Sequence, residues 1–134
     1  MNRNSFIGIV IFIAAAFVHQ IAAQDRGGSN VQMVLQEEMF SIPGKEAAIQ
    51  RAVYPAGWVG ERHYHTGDIF VYVLEGQFIV DLDGGELITI DPGEVYHEAV
   101  NKKMTARNGS ADKQVTVLLF QVGDKGKPRV MLAH

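Results

Sequence analysis

Short apolar runs alternate with turn residues along most of the chain, and this pattern predicts its secondary structure. Beyond residue 30, no segment keeps the apolar spacing of a helix over three turns. The clearest strand pattern is Gln77 to Asp83, where apolar residues occupy every second position from Phe78 to Leu82. The following Gly84-Gly85 pair favours a tight hairpin, because glycine accepts the positive φ values that such turns require.

At least eight segments have the length and composition of strands. The candidates are Val31 to Met39, Ala47 to Tyr54, Trp58 to His65, Ile69 to Leu74, Gln77 to Asp83, Leu87 to Ile90, Val95 to Val100, Met104 to Arg107, Val115 to Val122 and Arg129 to Ala133. Turns recur about every ten residues, and this spacing is typical of an antiparallel sandwich or closed barrel. The expected fold class is therefore all-β.

The first 23 residues have the three-part form of a secretory signal peptide. Arg3 is the only charged side chain before Asp25, and Phe6 to Val18 is an apolar run of 13 residues. Because small residues precede Gln24, we expect cleavage after Ala23 and export to the periplasm or the medium. An uncleaved membrane anchor is the alternative, but a spanning helix needs about 20 apolar residues.

Composition narrows the classes of function that remain. The 134 residues include 12 basic and 15 acidic side chains, a formal net charge of −3, so no basic field attracts nucleic acid or, after cleavage, a membrane. Cysteine is absent, which excludes thiol catalysis, Cys-ligated zinc and iron–sulfur clusters. We expect a signal peptide over residues 1–23, a linker and strand over 24–44, and one barrel domain over 45–134.

Three of the five histidines are candidate metal ligands. His19 lies in the leader and His134 is the last residue. His63 and His65 are two residues apart on a predicted strand, so both rings project from one face. Neutral imidazoles at that spacing can bind one zinc, iron, copper or nickel ion. An ordinary His-x-His pair on a wet strand face is the alternative, and His97 is the third candidate.

The histidine pair belongs to a longer motif. The first motif of the cupin family, G-x5-H-x-H-x3–4-E-x6-G, resembles the stretch Gly57-x5-His63-x-His65-x3-Ile69-x6-Gly76. In the family the glutamate is normally a metal ligand, and Ile69 replaces it here. Asp68 is adjacent, but consecutive strand residues face opposite sides, so it does not simply substitute.

The second cupin motif, G-x5-P-x-G-x2-H-x3-N, fits in two registers. In the first, which begins at Gly93, Met104 takes the histidine position and Asn108 the asparagine position. In the second, His97 and Asn101 take those positions, and both glycines fall one residue out of place. We favour the first register because it leaves the usual spacing between the motifs. His97 then lies on the strand that enters the motif, where it could reach the site from a neighbouring position.

The resemblance covers about Ala47 to Pro128 and implies a small jelly-roll β-barrel, often dimeric. It also implies a divalent metal (Fe, Mn, Zn, Ni or Cu) near the barrel mouth, with His63, His65 and His97 as the ligands that this chain offers. Cupins include dioxygenases, isomerases, epimerases and sugar-binding modules, so the fold alone does not give the function.

We therefore expect an exported, homodimeric cupin that binds a small molecule around this metal. If the protein is an enzyme, the ion would act as a Lewis acid or activate O2 for an oxidation or isomerisation. The sequence identifies no catalytic residue. Two alternatives stay open: a metal-free module for a sugar-like ligand, and a degenerate cupin that dimerises without catalysis.

Overall fold

The structure is a computed structural model that describes residues 28–134, and the predicted leader lies outside these residues. The described part of the chain consists of strands and turns, and it contains no helix that could cross a membrane. The strands are β1 (Asn30–Glu38), β2 (Lys45–Tyr54), β3 (His63–His65), β4 (Asp68–Glu75), β5 (Phe78–Leu82), β6 (Glu86–Ile90), β7 (Val95–Glu98), β8 (Met104–Asn108), β9 (Val115–Asp124) and β10 (Val130–Leu132). The all-β prediction is confirmed.

Two five-stranded antiparallel sheets form the fold. Sheet A has the order β1-β2-β9-β4-β7, and sheet B has the order β10-β3-β8-β5-β6. Most neighbouring strands are not consecutive in the chain, because the backbone crosses repeatedly from one sheet to the other. Residues far apart in sequence therefore meet between the sheets, as a barrel of jelly-roll type requires.

The hydrophobic core lies between the two sheets. On β5, Phe78, Val80 and Leu82 are all buried, as the alternating pattern predicts. They pack in one cluster with Val73 of β4 and Val117 of β9. Each such side chain contributes about 1.5–3 kcal/mol by leaving water, and this burial holds the sheets face to face.

The interior changes from apolar to polar along its length. The inward side chains of β9 run from Val115 and Val117 to Gln121, and all three are buried. Gln121 lies beside Ile69, which is paired in turn with Glu98 on β7. A buried polar group needs a partner. The polar end is thus where a functional site is expected.

The segment before the histidines is less regular than its composition predicts. Only His63–His65 forms a strand, whereas residues 58–62 form an irregular connection with a single bridge between Val59 and Arg107. The Trp58 ring stacks on Tyr54 with 3.9 Å between ring centroids, which draws the chain back onto β2. Aromatic packing therefore overrides the strand preference of this segment.

Candidate functional site

His63 and His65 lie on β3, between β10 and β8 of sheet B. His63 is paired with Met104, a fully buried core residue, and His65 is itself buried. The two rings meet edge to face with 5.0 Å between their centroids. The structure thus brings these two predicted residues together on the inner side of the barrel.

Backbone carbonyls fix the orientation of both rings. The Glu61 carbonyl accepts from His63 Nδ1 at 2.7 Å, and the Arg129 carbonyl accepts from His65 Nδ1 at 3.2 Å. A neutral imidazole that donates from Nδ1 keeps a lone pair on Nε2. Metal-binding histidines are commonly held in this way by a second hydrogen bond.

Glu98 is the residue of this site that the sequence did not reveal. Its Oε2 lies 3.1 Å from His65 Nε2, and the two side chains are only 3% and 7% exposed. On β7, Glu98 pairs directly with Ile69 of β4. The carboxylate that the cupin motif lacks at position 69 is therefore present one strand away, on the same inner face.

His97 lies on the opposite, outer face of sheet A. Its Nε2 is 2.9 Å from Asp68 Oδ1, and about half of each side chain is exposed. The His97 ring also stacks on Phe70, with 4.4 Å between centroids. Since consecutive strand residues face opposite sides, a buried Glu98 places His97 outside. The structure does not bring His97 to His63 and His65.

Met104 and Asn108 occupy the positions that the first register of the second motif gives them. Met104 lies across from His63, where the family has its third histidine, and its thioether packs in the core. The buried Asn108 side chain donates to the carbonyls of Pro55 and Lys113 at 2.9 and 2.8 Å and accepts from the Ser110 N–H. Asn108 therefore ties two loops to the barrel.

Burial shapes the electrostatics of the inner residues. Desolvation lowers the pKa of His63; the Glu61 carbonyl opposes this shift more weakly, and the neighbouring His65 adds to it. His63 is therefore neutral at pH 7. Burial, together with the negative charge of Glu98, raises the pKa of Tyr54 to about 12, so its hydroxyl stays protonated.

Within residues 28–134, no three His, Cys, Asp or Glu side chains are arranged so that they could already hold a metal ion. The chemistry of the donors nevertheless fits one. His63 and His65 offer neutral imidazoles and Glu98 offers a carboxylate, the combination found in non-haem iron oxygenases. Both imidazoles have the outer hydrogen bond that such ligands need.

A shallow groove of about 270 Å³ lies between the chain segment before β3 and the end of the chain after β10, and none of His63, His65 and Glu98 lines it. Its lining residues are Glu61, Arg62, Leu132, Ala133 and His134. The Arg62 guanidinium is bound to the Asp83 carboxylate through Nε and Nη2, at 3.1 and 2.5 Å. Arg62 is thus fixed in place as part of the groove.

Several solved structures share this fold at low sequence identity. A cupin-like protein from Thermotoga maritima is 14% identical with a TM-score of 0.65, covering 81% of this chain and 77% of that one. KdgF from a Halomonas species is 19% identical with a TM-score of 0.61, covering 76% of this chain and 84% of that one. The DMSP lyase DddQ from Ruegeria pomeroyi is 20% identical with a TM-score of 0.57, covering 65% of this chain. This chain spans only 43% of that lyase.

No curated protein matches the sequence significantly. The sequence profile of the cupin domain, in contrast, matches residues 50–120, which is more than half of the chain. This range runs from β2 to β9 and includes His63, His65 and Glu98. The profile, the two-sheet barrel and the structural neighbours agree, and the chain belongs to the cupin family.

Proposed function

We propose that this cupin binds a small molecule around a divalent metal ion held by His63, His65 and Glu98. The observation that carries the proposal is the buried approach of Glu98 Oε2 to His65 Nε2 at 3.1 Å. Two donors that bind one ion at about 2.1 Å, near a right angle, are about 3 Å apart. The separation of these two atoms therefore suits a shared cation.

The hydrogen-bonding groups of His65 and Glu98 also suit the two ligands of one metal ion. His65 donates from Nδ1 to the Arg129 carbonyl, so when the ring is neutral its lone pair is on Nε2. A carboxylate offers only acceptors. A proton on Nε2 would make the two groups an ion pair, and a divalent ion in its place would bind both of them. This ligand set differs from the sequence prediction in one residue, because Glu98 takes the role expected of His97.

The chemistry expected of this site is oxidation or isomerisation of a small organic molecule. A bound ion would supply a Lewis acid, or an O2-binding centre if it is iron. The protein provides a dry surround, because the buried Ile69 and Met104 lie across from Glu98 and His63.

Metal analysis tests the proposal directly. The purified protein, its Glu98→Gln variant and its His97→Ala variant are titrated with Fe(II), Mn(II), Zn(II), Ni(II) and Cu(II), with elemental content and thermal stability as readouts. Wild type should hold one ion, and a hundredfold excess over Kd should stabilise the fold by about 2.7 kcal/mol. Glu98→Gln keeps the shape of the side chain but removes its charge, so it should weaken binding about tenfold or more.

His97→Ala is the matched control, since it changes the adjacent residue on the outer face. Its metal affinity should equal that of wild type. If none of the five metals binds wild type or shifts its melting temperature, the metal proposal fails. If His97→Ala loses the metal and Glu98→Gln keeps it, the ligand assignment fails.

A metal-free binding module is the second candidate. One observation favours it: no three ligand-type side chains in the described part of the chain already converge as a metal site. The groove lined by Glu61, Arg62 and Leu132 would then be the ligand site. A thermal-shift screen with sugars and phenolic compounds in the presence of a chelator tests this candidate. Stabilisation that survives chelation supports it, and the absence of any hit favours a cupin that only dimerises.

Export and dimer formation are separate parts of the proposal. The three-part leader supports export to the periplasm or the medium, and fractionation of the native host with N-terminal sequencing tests it. A mature protein that begins at Gln24 is the expected result. The homodimer is supported by the family resemblance, because cupins are often dimeric. Sedimentation of the purified protein from about 1 to 300 µM tests it, and a protein that stays monomeric throughout contradicts it.

A further inference from the structure

An ion pair between Glu46 and Arg129 lies at the polar end of the barrel. Arg129 Nη2 is 2.9 Å from Glu46 Oε1, and the two side chains are only 25% and 12% exposed. The other lysine and arginine ion pairs of residues 28–134 join side chains that are 39–64% exposed. Burial removes the hydration of both charges, so this pair has a cost that the exposed pairs do not have.

Strand register places Glu46 one row beyond the proposed metal ligand Glu98. On the inner side of sheet A, Gln121 pairs with Ala48 of β2 and with Ile69 of β4, and Ile69 pairs in turn with Glu98. Glu46 is two residues before Ala48, so it faces the same way and is about 6.8 Å further toward the polar end. The ion pair therefore covers the end of the barrel at which the metal site is proposed.

Arg129 connects this ion pair to the proposed metal site. Its carbonyl accepts from His65 Nδ1 and from Gln121 Nε2, both at 3.2 Å, while its guanidinium binds Glu46. Glu46, Gln121 and Arg129 also line a cavity of about 10 Å³, which has room for roughly one water molecule. One residue thus orients a proposed ligand with its backbone and holds a carboxylate with its side chain.

The protein uses only part of the Arg129 guanidinium. This group has five N–H donors and binds a carboxylate best through two parallel hydrogen bonds. The bond from Nη2 to Glu46 is the only one that the side chain makes within the described part of the chain. Glu46 has a second partner, because Gln36 Nε2 lies 3.2 and 3.3 Å from its two carboxylate oxygens. Glu46 can therefore leave Arg129 and keep a partner.

We infer that Arg129 is the substrate-binding residue of this cupin for a carboxylate, and that a small organic acid binds it in exchange for Glu46. This rests on the metal site proposed above and names its substrate class. A divalent ion would leave one positive charge beside Glu98, because Arg129 and Glu46 cancel, and this suits an acid with a single carboxylate. A neutral amide of the same shape could not replace Glu46, since the guanidinium would lose its counter-charge.

Matched acids and amides test this inference. Glycolate, pyruvate and benzoate, each with its amide as the neutral control, are titrated by calorimetry into metal-loaded and metal-stripped protein. Wild type should bind at least one acid, and the corresponding amide about tenfold more weakly or not at all. Arg129→Gln keeps the backbone carbonyl but removes the charge, so it should lower acid affinity about tenfold or more. Its metal content should equal that of wild type.

Glu46→Gln distinguishes exchange from a purely structural ion pair. It frees Arg129 from its competitor, so acid affinity should rise about threefold or more. A structural pair predicts a loss of stability in both variants and no change in the preference for acids over amides. Lys127→Gln controls for the loss of a positive charge, because Lys127 lies at the same end and is 63% exposed. Its acid affinity should stay close to that of wild type.

The outcomes separate this inference from the metal site. If wild type holds its metal but binds no acid, or binds acids and amides equally, the role of Arg129 is overturned and the metal site stands. A Glu46→Gln variant that binds acids no better than wild type also overturns it. Acid binding that depends on Arg129 in a protein that takes up no metal keeps the inference and overturns the metal proposal. Circular dichroism checks folding, and if one variant is unfolded, the other variant and the acid–amide comparison decide.

Discussion

Two glycines of the first cupin motif have similar backbone conformations but different surroundings. Gly76 has φ of 78° at the end of β4, and Gly57 has φ of 69° in the turn before Trp58. A Cβ on Gly76 would lie 2.7 Å from the Gln114 carbonyl oxygen, whereas a Cβ on Gly57 would meet nothing within 4 Å. Gly76 is therefore required for close packing of two chain segments as well as for its φ.

We expect Gly76→Ala to destabilise the fold more than Gly57→Ala. Both substitutions place an alanine in the left-handed region, at a cost of about 1–2 kcal/mol. Only Gly76→Ala also pushes the neighbouring backbone away, because its Cβ would lie too close to the Gln114 carbonyl oxygen. Urea unfolding of both variants measures the difference in the free energy of unfolding. Equal losses would show that the contact at Gly76 relaxes freely and that only the φ value matters.

The sequence predicted His97 as the remaining histidine of the barrel, and the alternation of β7 shows why Glu98 was missed. Valine is usually buried in strands, so Val95 suggests that the odd-numbered residues of this strand face inward, and His97 with them. In the structure Val95 is exposed on the outer face, and Tyr96 and Glu98 face inward. Because the outer face of sheet A also carries apolar side chains, the inward and outward positions on β7 are the reverse of those expected when only one face is apolar. The available signal was Tyr96, an aromatic residue two positions before Glu98 and therefore on the same face of the strand.

At the scale of elements, the strands were predictable to within a few residues except around Trp58. Runs of β-branched and aromatic residues located β4 and β9, and Gly84-Gly85 located the turn between β5 and β6. The pairing of β10 with β3 was not predictable, because a three-residue strand has too little sequence to specify its partner. That pairing matters for the site, since it brings the Arg129 carbonyl to His65.

Ending the chain after Pro128 should weaken metal binding. The deletion removes β10 and the Arg129 carbonyl that accepts from both His65 Nδ1 and Gln121 Nε2. Loss of such an outer hydrogen bond typically lowers metal affinity 10- to 100-fold. Isothermal titration with the metal identified for wild type measures the effect.

A shorter deletion provides the control for this experiment. Ending the chain after Leu132 keeps β10 and Arg129 and removes only the contacts of Ala133 and His134 with Arg62. Metal affinity should then stay close to that of wild type. Equal losses in both truncations would mean that the last two residues, and not the Arg129 carbonyl, support the site.

The ion pairs of Asp124, at the paired ends of β2 and β9, should add a small amount of stability that is lost in acid. Lys127 and Lys45 lower the pKa of Asp124 from 3.8 to about 2. A lowered folded-state pKa stabilises the fold above the ordinary pKa, and that contribution is lost as the pH falls through the lowered value. Wild type should therefore melt slightly above Asp124→Asn at pH 7. The difference is small because the pair is partly exposed.

Melting curves from pH 7 to pH 2 check this prediction. The gap between wild type and Asp124→Asn should close between about pH 4 and pH 2. Asp112→Asn is the control, because Asp112 has no ion-pair partner within the described residues, and it should melt with wild type throughout. A gap that stays constant down to pH 2 would contradict the role of the ion pairs.

At the scale of the whole molecule, sheet A carries apolar side chains on both of its faces, and only the inner ones are buried in the core. The inner face joins the core and ends at Glu98, and the outer face carries Phe120 and Tyr72. Sequence alone gave the fold family, because the spacing of glycines and histidines is local. It could not give the outer face, which exists only once β1, β2, β9, β4 and β7 lie side by side.

The proposed homodimer predicts that thermal stability depends on protein concentration. Association that requires folded chains stabilises them by mass action, so the melting temperature should rise as the concentration is raised. If the exposed Phe120 of sheet A lies in the dimer interface, Phe120→Glu should remove this dependence and Leu87→Glu on sheet B should retain it. Scanning calorimetry over a hundredfold range of concentration measures both. A wild-type melting temperature that does not change with concentration would contradict the homodimer.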